Sequence, residues 1–421
     1  MLKPLENKAF RRVWAADVIS LLGDWAGRLA LTVLVLQRTG SPAWAAGVTA
    51  VSLIGFVGIG QVLATIGDRH GRVAVMIAAD FARAACFAAM LLDVPVGVLL
   101  FLAFLAGLAT PPFEAARSAA IPDLVSEEEY PLALALSNIS VQSALLIGYA
   151  FGGLLLTIVD DARAALGINA LTFLVSAVIL TGLRDSPAAR PGHHDSVGVS
   201  LRAGYDALFH DRLIRRALTI ICFTGLLGTV MEALVVPYAA HIDLREGLVG
   251  LLAAAVPVGT LIGTAAVTAG DTNHASLLRK ASIVTVVSAA ASSALFFADV
   301  DGFAAFLAFF IGGGMFAVSI PTNTVVGLRL SRATRATAMG IAVGILMGSQ
   351  AAGATFGGLV ASRIGVDQAI GGALAIAAVF GLWCLVTTPL DARHLRRPSS
   401  RIASDPLVDL VSLETEPTGV G

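Results

Sequence analysis

Charge is the scarcest commodity in this sequence: 28 Lys and Arg and 29 Asp and Glu stand among 421 residues, 14% in all. Soluble domains carry about 25% charged residues. A chain with so few cannot clothe one or two globular surfaces in water, which excludes an ordinary soluble protein. Cysteine is scarce too. Cys86, Cys222 and Cys384 fall in separate apolar runs without CxxC spacing or clustered His, which excludes a disulfide framework and a zinc site and leaves packing roles. The sequence also lacks GxxxxGK[ST], HExxH and any evident pairing of nucleophile and base, so neither a P-loop nor an enzyme active site is expected, and no metal or cofactor. A net charge of −1 points to no acidic or basic partner, and none among nucleic acids.

What is abundant is apolar: 57% of residues are hydrophobic before the 43 glycines are counted. About 20 apolar residues are needed to cross the hydrocarbon of a bilayer, and twelve runs qualify: 13–36, 44–66, 73–92, 96–116, 132–156, 164–183, 217–239, 247–269, 281–298, 302–327, 337–361 and 368–388. The runs are continuous rather than alternating, so they read as helices and not barrel strands. The first run contains Asp17 and Asp24 and lacks a small-residue cleavage site; it is expected to be a retained span rather than a signal peptide. With the amino terminus inside, 22 Lys and Arg fall on the cytoplasmic side and four, Arg38, Arg163, Arg245 and Arg363, outside. The positive-inside rule therefore predicts cytoplasmic termini at the plasma membrane.

The longest interior connection, 184–216, divides the spans six and six, so the expected organisation is an amino-terminal bundle, 1–183, the linker, a carboxy-terminal bundle, 217–388, and a disordered cytoplasmic tail, 389–421. Residues 201–216 have the spacing of a surface helix. His193 and His194 within the linker read as solvated loop residues rather than metal ligands. The halves repeat: Gly148, Gly152 and Gly153 recur as Gly353, Gly357 and Gly358 at an offset of 205, and Gly67–Asp68 recurs as Gly270–Asp271 at an offset of 203. Two landmarks at nearly one offset indicate a duplicated six-helix unit, the plan in which a central site opens alternately to each side.

The loop after the second run contains Gly67, Asp68, Arg69, His70, Gly71 and Arg72. Here the chain resembles the major facilitator superfamily signature GxxxDRxGR, with Ala64 at the first glycine. Asp68, Arg69, Gly71 and Arg72 match it. Gly71 permits a tight turn, and the charges either form a conformational latch between the halves or hold the topology. Gly148, Gly152 and Gly153 resemble the exporter motif GPxxGG, with Tyr149 in place of proline. Such glycines let helices approach closely, as a sliding seam or as simple packing. The segment Pro112–Arg117 with Ile121–Val125, together with Gly23, Asp24, Asp80, Arg83 and Asn169, is similar to the drug:proton antiporter branch that contains macrolide-type and siderophore exporters. The resemblance implies an all-α membrane fold of twelve transmembrane helices in two pseudo-symmetric six-helix bundles.

Ionisable groups inside spans cost roughly 2.5–3.5 kcal/mol each on insertion scales, so each needs a partner, a wet cavity or a neutral form. Asp17, Asp24 and Arg28 share a helical stripe that is expected to face a cavity. Asp80 with Arg83, and Glu114 with Arg117, have pairing distance along one helix. Glu232 has no basic residue within a turn, so burial favours its neutral form. Glu232 and Asp24 are the candidates for proton coupling, with a fixed structural or substrate-orienting role open for each. Asn138 and Gln142, one turn apart, are expected either to line the cavity or to bond between helices.

These features together predict a transporter that exports a small, amphipathic molecule in exchange for protons, working as a monomer among membrane lipid. Proton-linked uptake of a metabolite predicts more clustered Asn, Gln, Trp and Arg than the spans contain. A non-transporting membrane sensor predicts an appended soluble domain.

Overall fold

The computed structural model describes residues 3–58, 71–159, 161–183, 197–269, 274–298, 300–319, 322–323, 326, 329–330 and 334–387, with the side chains of 197–201, 274–278 and 335–336 excepted. The expectations for Asp68, Arg69, the His193–His194 pair, the Gly270–Asp271 repeat and the tail lie outside the described residues. Among those described there are 14 α-helices and no strand: α1 (Lys8–Thr39), α2 (Pro42–Ile54), α3 (Arg72–Ala89), α4 (Val96–Leu124), α5 (Tyr130–Val159), α6 (Ala162–Thr181), α7 (Val197–His210), α8 (Arg212–Ala233), α9 (Val235–His241), α10 (Glu246–Thr268), α11 (His274–Phe297), α12 (Gly302–Gly313), α13 (Arg335–Ile364) and α14 (Val366–Thr387). Nine described helices are long and apolar enough to cross a membrane, and two shorter apolar segments, Pro42–Ile54 and Gly302–Val318, join them. The 18-residue α3 carries Asp80 and Arg83 in its interior.

Local chemistry sets the helix ends. Asn7 begins α1 by accepting from the backbone N–H groups of Ala9 and Phe10 at 2.9 and 3.2 Å, and Gly40 ends it in the left-handed region at φ 61°. Pro42 opens α2, where no intrahelical N–H is lost. Three expected spans are not continuous α-helices. The second, expected over 44–66, leaves the α-helix after Ile54, and Gly58 takes a left-handed φ of 64°. The seventh is divided at Leu234, φ −98° and ψ 4°, because Pro237 has no N–H to donate and its ring crowds the carbonyl four residues back. The tenth passes from α12 into a 3₁₀ segment, Gly314–Val318; consecutive glycines at 312–314 weaken the α-helix there.

Packing follows a repeated plan. In the amino-terminal half α1 lies on α5 and α6, and α3 on α4 and α6; in the carboxy-terminal half α8 lies on α13 and α14, and α11 on α12 and α14. The halves meet along α2 with α13 and α5 with α10. Toward the chain termini each half has its own apolar core, Val13, Met76 and Phe113 in one and Leu208, Leu218 and Ile341 in the other. At the opposite end a single core runs through both, from Leu31 and Leu156 to Val236, Leu252 and Phe309. Large apolar side chains such as Phe101, Val178, Phe303 and Val386 face outward, the arrangement that a lipid solvent requires.

The repeated glycines make the close approaches. A Cβ on Gly148 or Gly152 would lie 2.7 Å from Trp25 Cβ or 2.9 Å from Ala26 Cα of α1, within the same half. One on Gly153 would lie 2.7 Å from Gly250 Cα of α10, across the interface. The second copy repeats the division of labour: Gly353 and Gly357 face Leu226 and Val230 of α8, while Gly358 faces Ala43 and Ala46 of α2.

Candidate functional site

Where the halves separate, a cavity of about 650 Å³ is walled by α1, α2, α4 and α5 on one side and by α8, α9, α10, α13 and the 3₁₀ segment after α12 on the other. Its lining is mostly aliphatic and aromatic, with a small polar set: Asp24, Arg28, Glu114, Arg117, Gln142, Tyr149, Glu232 and Gln350 among them. An apolar cleft of this size with a few convergent polar groups is the usual form of a small-molecule site.

The charges are arranged in two tiers. In the upper tier Arg28 donates to Asp24 at 2.8 Å, one helical turn apart on α1. The same guanidinium stands 4.9 Å from the Trp25 ring, and Trp25 packs on Tyr149 with centroids 5.3 Å apart. Tyr149 in turn donates its hydroxyl to Glu232 Oε1 at 3.1 Å, from α5 to α8 and so from one half to the other. No ion pair to Glu232 occurs among the described residues. The break after Ala233 places Glu232 at the end of a helix, where a discontinuous span brings polar groups to a central site.

In the lower tier Arg117 of α4 donates to Asp17 at 2.6 Å and to Glu114 at 2.5 Å. Asp17 is 2% exposed, and its Oδ1 has no hydrogen-bond partner. The expected stripe of Asp17, Asp24 and Arg28 is therefore divided: Asp24 and Arg28 line the cavity, whereas Asp17 does not. The reason is Arg117, whose guanidinium lies between Asp17 and Glu114 and turns the first carboxylate inward. Asn138 is likewise outside the cavity wall, on an exposed part of α5, while Gln142 is in it.

Asp80 and Arg83 pair at 2.5 Å, away from the cavity and wholly buried. Ser176 of α6 donates to the other Asp80 oxygen at 2.6 Å, and the Arg83 guanidinium sits 4.6 Å from the Phe113 ring and 4.4 Å from Phe173. This polar knot joins α3, α4 and α6. Of the signature loop, Gly71 precedes α3, and Arg72 bonds Asp123 at the end of α4. Two site residues escaped the sequence: Tyr149, visible there only as a departure from a motif, and Gln350, one of many polar residues in small-residue runs.

The family model described as Major Facilitator Superfamily matches residues 13–342. Macrolide efflux protein A of Streptococcus pyogenes is 27% identical over 183 residues, 42% of this chain and 44% of that protein. The uncharacterized MFS-type transporter YfiS of Bacillus subtilis (strain 168) is 27% identical over 229 residues, 53% of this chain and 55% of that protein. The chain thus spans about half the length of the curated relatives it matches. A bacterial homologue of the human lysosomal transporter Spinster, solved in an inward-facing and unoccupied conformation, has a TM-score of 0.73 at 13% identity, covering 93% of this chain and 99% of that one. A peptide transporter POT in complex with sulfate has a TM-score of 0.70 at 12% identity, covering 92% and 95%; at these identities the likeness concerns the fold. With two helical halves around a central cleft and a family match over most of its length, this chain belongs to the major facilitator superfamily and is a multi-pass membrane protein.

Proposed function

We propose that the chain exports a small amphipathic molecule from the cytoplasm in exchange for protons, its bundles 1–183 and 217–388 rocking about the cavity. The observation that carries this reading is Glu232: a carboxyl facing an apolar cavity, without an ion-pair partner among the described residues, at the interface of the halves. Proton entry from outside neutralises Glu232 or Asp24, weakens cargo binding and biases the rocking equilibrium; coupling arises because proton and cargo bind the two states unequally. With the termini in the cytoplasm and the chain in the plasma membrane, the shared core closes the outer face and the separated cores leave the inner one apart. Export is supported by the glycine motif of α5 and by the similarity to macrolide efflux protein A. The loop from Asp68 to Arg72 acts as a latch between conformations, and the protein works as a monomer.

The test is pH-gradient-driven efflux from loaded vesicles, with a panel of amphipathic antibiotics as cargo. Glu232→Gln or Asp24→Asn is expected to abolish gradient-driven transport while leaving energy-independent exchange. Undiminished efflux in both variants would refute the assignment of proton coupling.

A further inference from the structure

We propose that Tyr149 is a positioning residue that couples the charge of Glu232 to the seam between the halves; the inference rests on the proton-carrying role of Glu232 put forward above. Tyr149 touches the carboxy-terminal half twice. Its hydroxyl donates to Glu232 of α8 at 3.1 Å, and its own carbonyl oxygen abuts Gly250 of α10, where an added Cβ would collide with it. The residue is 8% exposed and its ring is held by Trp25. Proline, which the exporter motif carries at this position, has no hydroxyl to offer.

The surroundings of Glu232 leave Tyr149 as its bonded partner. From α1 the charges that face it are Asp24 and Arg28, bonded to each other at 2.8 Å. From α4, Glu114 and Arg117 line the same cavity and are also bonded to each other. The cavity residues of α10, α13 and the 3₁₀ segment, Pro257, Thr260, Phe316, Met347 and Gln350 among them, carry no charge. A hydrogen bond to an ionised carboxylate is about twice as strong as one to a neutral group. The tie from α5 to α8 is therefore firm while Glu232 is ionised. It weakens when a proton adds to the carboxylate, Tyr149 keeping its own. The weakening falls beside the Gly153–Gly250 contact, so the chemical event and the parting of the halves share one residue.

The experiment uses the full chain in lipid nanodiscs, with the three native cysteines replaced and spin labels at Ile158→Cys on α5 and Leu248→Cys on α10, both exposed. Pulsed electron resonance then follows the distance between the labels from pH 8 to pH 5. The parent protein is expected to move toward the separated population as pH falls. Tyr149→Phe, which keeps the ring on Trp25, is expected to lower the closed-to-open ratio at pH 8 by about tenfold, the loss typical of one hydrogen bond to a charged group, and to flatten the pH response. Adding Glu232→Gln to Tyr149→Phe is expected to change little more, because residues that act as one unit are not additive. A parent-like pH response in Tyr149→Phe, additive effects in the double variant, or a parent with no response would each overturn the proposal. If Tyr149→Phe responds normally while Glu232→Gln does not, Tyr149 loses its role and Glu232 keeps its own. If Glu232→Gln responds normally, proton carriage by Glu232 fails first.

Discussion

Gly250→Ala is the sharpest probe of the seam between the halves. The new Cβ would lie 2.7 Å from Gly153 Cα and would collide with the Tyr149 carbonyl oxygen. Carbon atoms rest at about 3.5–4.0 Å, so α5 and α10 must part by roughly 1 Å in the conformation described here. Both obstacles are backbone, which no rotamer change can move aside. Overpacking of this kind costs about 1–3 kcal/mol. The gain in helix propensity from Gly to Ala applies equally to any conformation in which α10 is helical, so it cancels from the equilibrium between them. The closed population is therefore expected to fall by about 5- to 150-fold relative to a state in which the helices separate at this end. Disulfide cross-linking of cysteine pairs placed on α5 and α10 near Val159 and Gly247 measures that population. Gly372→Ala in α14 is the control, since nothing lies within 4 Å of its added Cβ. Equal cross-linking in Gly250→Ala and the control would refute the argument that this contact sets the equilibrium.

Asp80→Asn leaves Arg83 buried between Phe113 and Phe173 without its counter-charge; thermal unfolding in detergent is expected to show a loss of about 3–5 kcal/mol, with any change in transport following the amount of folded protein. Asp211, the cap of α8, is partly buried, which pushes its carboxyl up, but the backbone N–H groups of Leu213 and Ile214 and the Arg329 guanidinium at 3.0 Å outweigh this and hold it below its ordinary value of 3.8. A depressed folded value means stability that is present above pH 3.8 and lost as pH falls through the folded value. Asp211→Asn is therefore expected to be less stable than the parent at neutral pH, and the difference measured by unfolding is expected to vanish in strong acid.

Much of the architecture was legible because lipid imposes a coarse rule: a span must be long, apolar and helical, and loops must carry the charge. The duplicated glycines were legible for the same reason, since small residues in a span have few uses other than close packing. Helix continuity was less legible. Pro237 and the glycines at 312–314 were plain to see, yet a proline or glycine within a span is also compatible with an unbroken helix, and only packing against neighbours selects the break.

The pairs along one helix, Asp24 with Arg28, Asp80 with Arg83 and Glu114 with Arg117, followed from spacing alone, because three or four residues bring side chains onto one face. Contacts between helices did not. That Arg117 reaches 100 positions back to Asp17 and draws it out of the expected stripe, that Asn138 falls outside the cavity wall and Gln142 in it, and that Tyr149 meets Glu232 depend on helix rotation and on which faces the two halves press together. The sequence by itself determined the solvent, the helical class and which apolar runs carry carboxyls, since each is a property of one segment. Only the tertiary structure decided how those groups are partnered, because a partner 83 or 100 residues away is chosen by packing between helices and leaves no periodic trace in the chain.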